Sequence, residues 1–264
     1  MIKLGILGSG SSGNSMVLVH EDGGVLIVDA GFSRRETFSR LAQLRIDPGR
    51  LVGMLLTHEH SDHSRGCRVL CDSLGVPLYT TCGTARYLLQ RGMLPSKVLT
   101  FEPGDRFAAG GFDVNSFPVR HDAADPVGFV IGSGGVRVGV ATDLGEVNAV
   151  AGKNLRDCDA LVLESNYDFE MLRESDRQLY LKRRIAGRSG HLDNRMTAAA
   201  LETLVTERTR LLLLAHISRE CNRPEIALEE CRRELKHLGR DDVRVAPLAQ
   251  GSPSELFSLE EIAL

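Results

Sequence analysis

No apolar run in the 264 residues approaches the ~20 that a membrane span requires, which excludes an integral membrane function. Positive charge is not in excess either. Thirty-two Lys and Arg stand against 35 Asp and Glu, and the formal net charge of −3 excludes nucleic-acid binding by bulk charge, though not through a local basic groove. Low-complexity tracts are absent and apolar segments recur throughout, so a disordered chain is excluded. The six cysteines (Cys67, Cys71, Cys82, Cys158, Cys221, Cys231) form no CxxC pair and lack the density of a secreted disulfide framework. Reduced, partly buried thiols are expected, with Cys67 and Cys71 as core packing. The opening MIKLGILGSG breaks into glycine and serine by Gly8, where a secretion leader needs an unbroken apolar stretch. Cytoplasm is the expected compartment. No repeat or linker-like composition break appears, so one domain over residues 1–264 is expected.

What is present is a soluble α/β pattern, with 42% apolar and 25% charged residues. Strands are expected at Lys3–Leu7, Met16–Val19, Val25–Asp29, Met54–Thr57, near Leu78, and at Phe112–Val119, Val127–Ile131, Val136–Thr142, Ala160–Glu164, Leu211–Ala215 and Val243–Ala246. Helices are expected at Arg34–Leu44, Ser64–Leu74, Thr84–Arg91, Phe169–Ile185, Asn194–Glu207 and Pro224–Leu238. Strands in two groups, with helices between and after them, point to two packed sheets covered by helices.

Gly8-Ser9-Gly10-Ser11-Ser12-Gly13 satisfies GxGxxG after a strand, and Asp29 ends a later strand. A dinucleotide site needs a helix directly after the glycines. Met16–Val19 and the turn Glu21–Gly24 make a hairpin instead, so dinucleotide binding is rejected. The loop is left as a tight turn or as a backbone N–H cradle for a substrate phosphate, with Ser11 and Asn14 as candidate contacts.

His58-Glu59-His60-Ser61-Asp62-His63 follows a buried strand. A lone histidine is usually a solvated or satisfied core residue, but three imidazoles and a carboxylate in six positions at a strand end reverse that expectation. The segment is not HExxH, because Asp62 stands where that motif needs histidine. His121, Asp143 and His216 also follow apolar strands, and strand ends on one edge of a sandwich form a common rim. Five histidines and two aspartates suffice for two divalent ions with one aspartate bridging. Zn2+ is the first expectation and Mn2+ or Fe2+ are compatible; the absence of thiolates argues against a closed structural zinc site. Two such ions generate hydroxide at neutral pH and clamp an in-line displacement at phosphorus.

HEHSDH together with Asp29, His121, Asp143 and His216 resembles the metallo-β-lactamase superfamily in the order of its five motifs. The resemblance implies an αββα sandwich, two mixed β-sheets covered by helices, with the site at one rim. It implies His58, His60 and His121 on one metal, Asp62, His63 and His216 on the other, Asp143 bridging, and Asp29 supporting the ligands from behind. Asp62 is also counted in the catalytic centre. The glycine-rich loop, Leu163-Glu164-Ser165-Asn166, Gly190-His191-Leu192 and His216-Ile217-Ser218 resemble the YycJ/WalJ branch, associated with 5′-to-3′ DNA exonuclease activity and related to ribonuclease Z and the phosphonate-pathway phosphodiesterases. Tyr167, Asp193 and Cys221 depart from that pattern, at positions where His, Ser and Asn are expected.

These readings lead to a dinuclear metal phosphodiesterase, a nuclease with DNA favoured over RNA. His191 is expected as general acid and Glu164 as its orienting partner, as in the ribonuclease Z relatives that the pair resembles. Arg183, Arg184 and Arg188, beside His191, are expected to contact phosphate; the alternative is a solvated helix face. A thioester or lactone hydrolase of the glyoxalase II type on the same ligands is the competing reading.

Overall fold

The computed structural model describes residues 2–259; Met1 and residues 260–264, part of the expected single domain, lie outside the described residues. The first half of the chain supplies β1 (Ile2–Gly8), β2 (Ser15–His20), β3 (Val25–Val28), α1 (Arg34–Gln43), β4 (Leu51–Leu55), α2 (Ser61–Ser64), α3 (Cys67–Leu74), β5 (Leu78–Thr81), α4 (Cys82–Gln90) and β6 (Val98–Phe101). The second supplies β7 (Arg106–Ala109), β8 (Phe112–Pro118), β9 (Val127–Ser133), β10 (Val136–Ala141), α5 (Ala149–Leu155), β11 (Ala160–Glu164), α6 (Phe169–Glu174), α7 (Leu179–Ile185), α8 (Asn194–Leu204), β12 (Leu211–Ala215), α9 (Pro224–His237) and β13 (Arg244–Pro247). Strand β14 (Leu256–Ser258) returns to the first sheet.

The sheets run β14-β1-β2-β3-β4-β5-β6 and β13-β12-β11-β10-β9-β8-β7. Each changes once from antiparallel to parallel pairing, at β3–β4 in the first and at β10–β11 in the second. The two halves therefore share a topology, a meander followed by helix-linked parallel strands. Alternation places Leu4, Ile6, Leu18 and Leu26 of one sheet against Phe112, Phe129, Val140 and Leu213 of the other, in the core between the sheets. The opposite faces pack under helices: Val17 and Ile27 with Leu41 and Leu70, and Leu161 and Leu212 with Leu201 and Leu235. The result is the expected αββα sandwich. Because β11 and β12 are buried on both faces, they read as unbroken apolar runs.

Several expected boundaries move. Phe169–Ile185 is two helices, because Ser175 ends α6 in an extended conformation, and Ser64–Leu74 divides into α2 and α3 at Gly66. The helix expected to Glu207 stops at Leu204, where Val205 turns extended. Strands β6, β7 and β14 and helix α5 were not expected. The glycine-rich loop leads into β2 and not into a helix, and β2 and β3 form the expected hairpin. Cys67 and Cys71 pack in the core under the first sheet. Among the described residues, no helix is long and apolar enough to cross a membrane.

Candidate metal centre

The parallel strands deliver the site. Asp29 follows β3, Asp143 follows β10 and His216 follows β12, and all three adopt positive φ, at 60°, 58° and 56°. Asp and His tolerate this region better than most side chains, yet each such residue costs ~1–3 kcal/mol and persists only where its surroundings hold it. Between them, His58 lies in the loop that follows β4, and His60 caps α2, which carries Asp62 and His63. His121 lies in the loop after β8, Glu164 ends β11, and His191 lies in the loop between α7 and α8. Gly31 allows the close approach here: a Cβ at this position would collide with the carbonyl oxygen of Asp62.

Hydrogen bonds fix which nitrogen most of the rings present. Thr57 Oγ1 donates to Asp29, within 3.0 Å of both carboxylate oxygens, and so accepts from His58 Nδ1 at 3.0 Å. That leaves His58 Nε2 as a bare lone pair, buried and without a hydrogen-bond partner among the described residues. His63 Nδ1 donates to Asp29 Oδ2 at 2.7 Å, His121 Nδ1 to the Gly190 carbonyl at 3.1 Å and His216 Nδ1 to Glu164 Oε1 at 2.9 Å. Oxygen acceptors behind the rings thus turn the Nε2 atoms toward one cluster, the arrangement that metal-ligating histidines require.

The ligand atoms of His58, His60 and His121 lie within 4.8 Å of one another, and His121 Nε2 stands 3.3 Å from His60 Nδ1. Asp143 belongs to two further groups of that tightness, one with His58 and His63, the other with Glu164, His191 and His216. Asp62 Oδ2 lies 3.6 Å from His63 Nε2 and 3.7 Å from His216 Nε2. Asp62, His63, Asp143 and His216 thus meet pairwise and not as one group as tight as the first. His191 Nδ1 is 2.8 Å from Glu164 Oε1. The orphaned His58 nitrogen, the convergent lone pairs and a donor set of imidazole and carboxylate fit divalent cations.

The electrostatics agree. Burial, aided by its charged neighbour His63, pushes the His58 pKa well down, and burial lowers that of His121. Burial also works against charge on His63 and His216, but carboxylates outweigh it. Asp143 and Asp29 hold His63 well above its ordinary value, and Asp143 with Glu164 raises His216 to about 10. Glu164, despite burial, is held down to about 2 by His191 and His216, and His191 is raised by Glu164 against its own desolvation. Protons on these rings neutralise the buried carboxylates where a cation would otherwise do so.

The cavity over the cluster measures about 170 Å³, with Ser11 and Arg184 among its lining. Arg184 is exposed and pairs with Asp122 at 2.5 Å, Arg188 pairs with Glu146 at 3.0 Å, and Arg183 is exposed on α7. Asn14 is buried, its Nδ2 lies 2.9 Å from His63 Nε2 and donates to Asp62 Oδ2 at 3.2 Å, so it reaches the cluster from below the surface. Two contributors escaped sequence reading, the Thr57 hydroxyl and the Gly190 carbonyl. A single hydroxyl and a backbone oxygen leave no pattern of residue types to find.

Residues 25–217 match the model of a β-lactamase superfamily domain. The chain is 34% identical over 242 residues to the exodeoxyribonuclease YycJ of Bacillus anthracis, covering 90% of each chain. It is 35% identical over 229 residues to the exodeoxyribonuclease WalJ of Streptococcus pneumoniae, covering 85% of each. Among solved structures it is similar to the metallo-β-lactamase fold protein YhfI of Bacillus subtilis, with a TM-score of 0.72 at 16% identity over 96% of this chain and 98% of that one.

Proposed function

The chain belongs to the β-lactamase superfamily, and from that premise we propose that this metal-dependent hydrolase is a dinuclear 5′-to-3′ exonuclease acting on DNA. The observation that carries the reading is the gathering of five histidines, Asp62 and Asp143 into one cluster, with the Glu164–His191 pair at 2.8 Å beside it. The YycJ and WalJ relatives support nucleic acid as the substrate class. His58, His60 and His121 would hold one ion, Asp62, His63 and His216 the other, and Asp143 would serve both. When bound, the ions supply an activated water at neutral pH and screen the charge of the phosphate.

The chain's own residues do the rest. Displacement at phosphorus expels an alkoxide, a poor leaving group until it gains a proton. His191 holds that proton on Nε2, because Nδ1 is committed to Glu164, and the Glu164 carboxylate stabilises the imidazolium. Arg183, Arg184 and Arg188 would contact flanking phosphates, and Ser11 and the loop around Asn14 would border the reacting group.

The test is a substrate panel on protein reconstituted with Zn2+, Mn2+ or Fe2+: 5′-labelled duplex DNA, single-stranded DNA, RNA, bis-p-nitrophenyl phosphate and a thioester. Stepwise shortening of DNA from the 5′ end is expected. Robust thioester turnover with no phosphodiesterase activity would contradict the reading.

A further inference from the structure

A second cavity of about 150 Å³ adjoins the first and shares Ser11, Arg184, His191 and His216 with it. Part of its lining is apolar: Tyr167 and Cys221 are buried with Leu172, and Ile185 packs against them. Basic and hydroxylic groups face the same space, Arg177, Arg184, Ser11 and Ser218. Arg177 gives Nη2 to Glu220 at 2.7 Å, whereas its Nε is buried without a hydrogen-bond partner among the described residues. A guanidinium N–H withdrawn from water and left unpaired is costly unless an acceptor arrives. The cavity has room for ~five water volumes, which suits one tetrahedral oxyanion better than a base and sugar together. Guanidinium groups with hydroxyls are the chemistry that recognises phosphate.

The position of His191 orients the substrate. It lines both cavities, and in the proposed reaction it protonates the departing O3′. The P–O3′ bond breaks, O3′ takes the proton from His191, and the oxygen of the attacking water stays on phosphorus as part of the new 5′-phosphate of the remaining strand. The leaving nucleoside therefore lies on the His191 side, against the second cavity. When the first nucleotide of a strand is removed, that nucleoside carries the 5′ terminus. We infer that the cavity lined by Arg177, Arg184, Ser11 and Ser218 receives the 5′-terminal phosphate of the strand and so fixes the cut one nucleotide from the end. The inference rests on the exonuclease reading and adds to it the group that the enzyme measures from.

Calorimetry on the metal-loaded protein tests it without turnover. Thymidine 3′,5′-bisphosphate places one phosphate at the reacting position and one in the cavity, and thymidine 3′-monophosphate lacks the second. The bisphosphate is expected to bind about tenfold tighter or more, and Arg177→Ala to abolish the difference while leaving the 3′-monophosphate bound. Equal binding of the two ligands, a difference that survives Arg177→Ala, or a loss of both ligands alike overturns the inference. Should Arg177→Ala fail to fold, Glu220→Ala carries the test. It removes the acceptor on Arg177 Nη2, so tighter bisphosphate binding supports the site, and unchanged or weaker binding overturns it. A chain that binds the bisphosphate in this way but cleaves no nucleic acid keeps the cavity assignment and loses the exonuclease reading. DNA cleavage indifferent to a 5′-phosphate does the reverse.

Discussion

His191 and Glu164 carry the most specific chemical claim at the scale of single residues. Glu164 Oε1 lies 2.8 Å from His191 Nδ1 and 2.9 Å from His216 Nδ1, so one buried carboxylate orients both the proposed acid and a proposed ligand. His191→Ala should leave metal content unchanged and lower kcat by ~10²–10⁴ on alkyl phosphodiesters. The loss should shrink sharply with a p-nitrophenyl leaving group, which departs without a proton. Equal losses on both substrates, or loss of metal, would mean that His191 is not the acid. Glu164 substitutions should damage both functions at once.

The buried histidines His63 and His216 set a pH dependence. In the metal-free chain His63 and His216 are raised, His216 to about 10, so both hold protons at neutral pH. A group raised in the folded state contributes stability that is fully present below its unfolded value near 6.5 and lost as pH rises through its folded value. Metal-free protein should therefore lose thermal stability as pH approaches 10. Cation binding must displace those protons, so affinity should rise with pH, and calorimetry in buffers of different ionisation enthalpy should register proton release on metal uptake. Absence of proton release would show that these rings are already neutral. The residue types of the cluster were legible because histidine and aspartate at strand ends are uncommon together. Thr57, which ties Asp29 to His58, was not legible, because nothing marks a lone threonine as a hydrogen-bond relay.

At the scale of elements, legibility followed burial. Strands β11 and β12 are buried on both faces, and their sequence limits coincide with the observed ones. The edge strands β6 and β7 carry exposed residues at half or more of their positions, and β14 has only three residues, so no alternation is long enough to read. Helix α5 is short and holds Gly152, which weakens its helical signal. Helix α7, by contrast, has no buried residue and ends in Lys182, Arg183 and Arg184, the basic run visible in the sequence. The exposed pairs Arg184–Asp122 and Arg188–Glu146 are screened by solvent and readily exchanged for phosphate contacts. Replacing Arg183 and Arg188 with glutamine should raise KM for long DNA more than for bis-p-nitrophenyl phosphate and make the salt dependence shallower by ~1 in log–log slope per lost contact. Equal effects on both substrates would assign the arginines to structure.

For the whole molecule, the shared topology of the two sheets explains where the site lies. Asp29 and Asp143 follow corresponding strands, β3 and β10, each at the change from antiparallel to parallel pairing, and both bend into positive φ. The proposed ligands from the first half (His58, His60, Asp62, His63) meet those from the second (His121, Asp143, His216) at one rim, so ions bound there would tie the halves of the sandwich together. With free metal at ~1,000 times its Kd, linkage adds ~4 kcal/mol to folding, which for a chain of this size raises Tm on the order of 10 °C. Chelation should reverse the gain, and a Tm indifferent to metal would place the ions outside the fold's support. The most direct test of the dinuclear account is elemental analysis of the reconstituted wild-type protein and of Asp143→Ala at matched activity measurements. The account predicts two divalent ions per wild-type chain, and impaired occupancy of both sites together with loss of DNA cleavage in the variant. Full nuclease activity with one ion or none would contradict it.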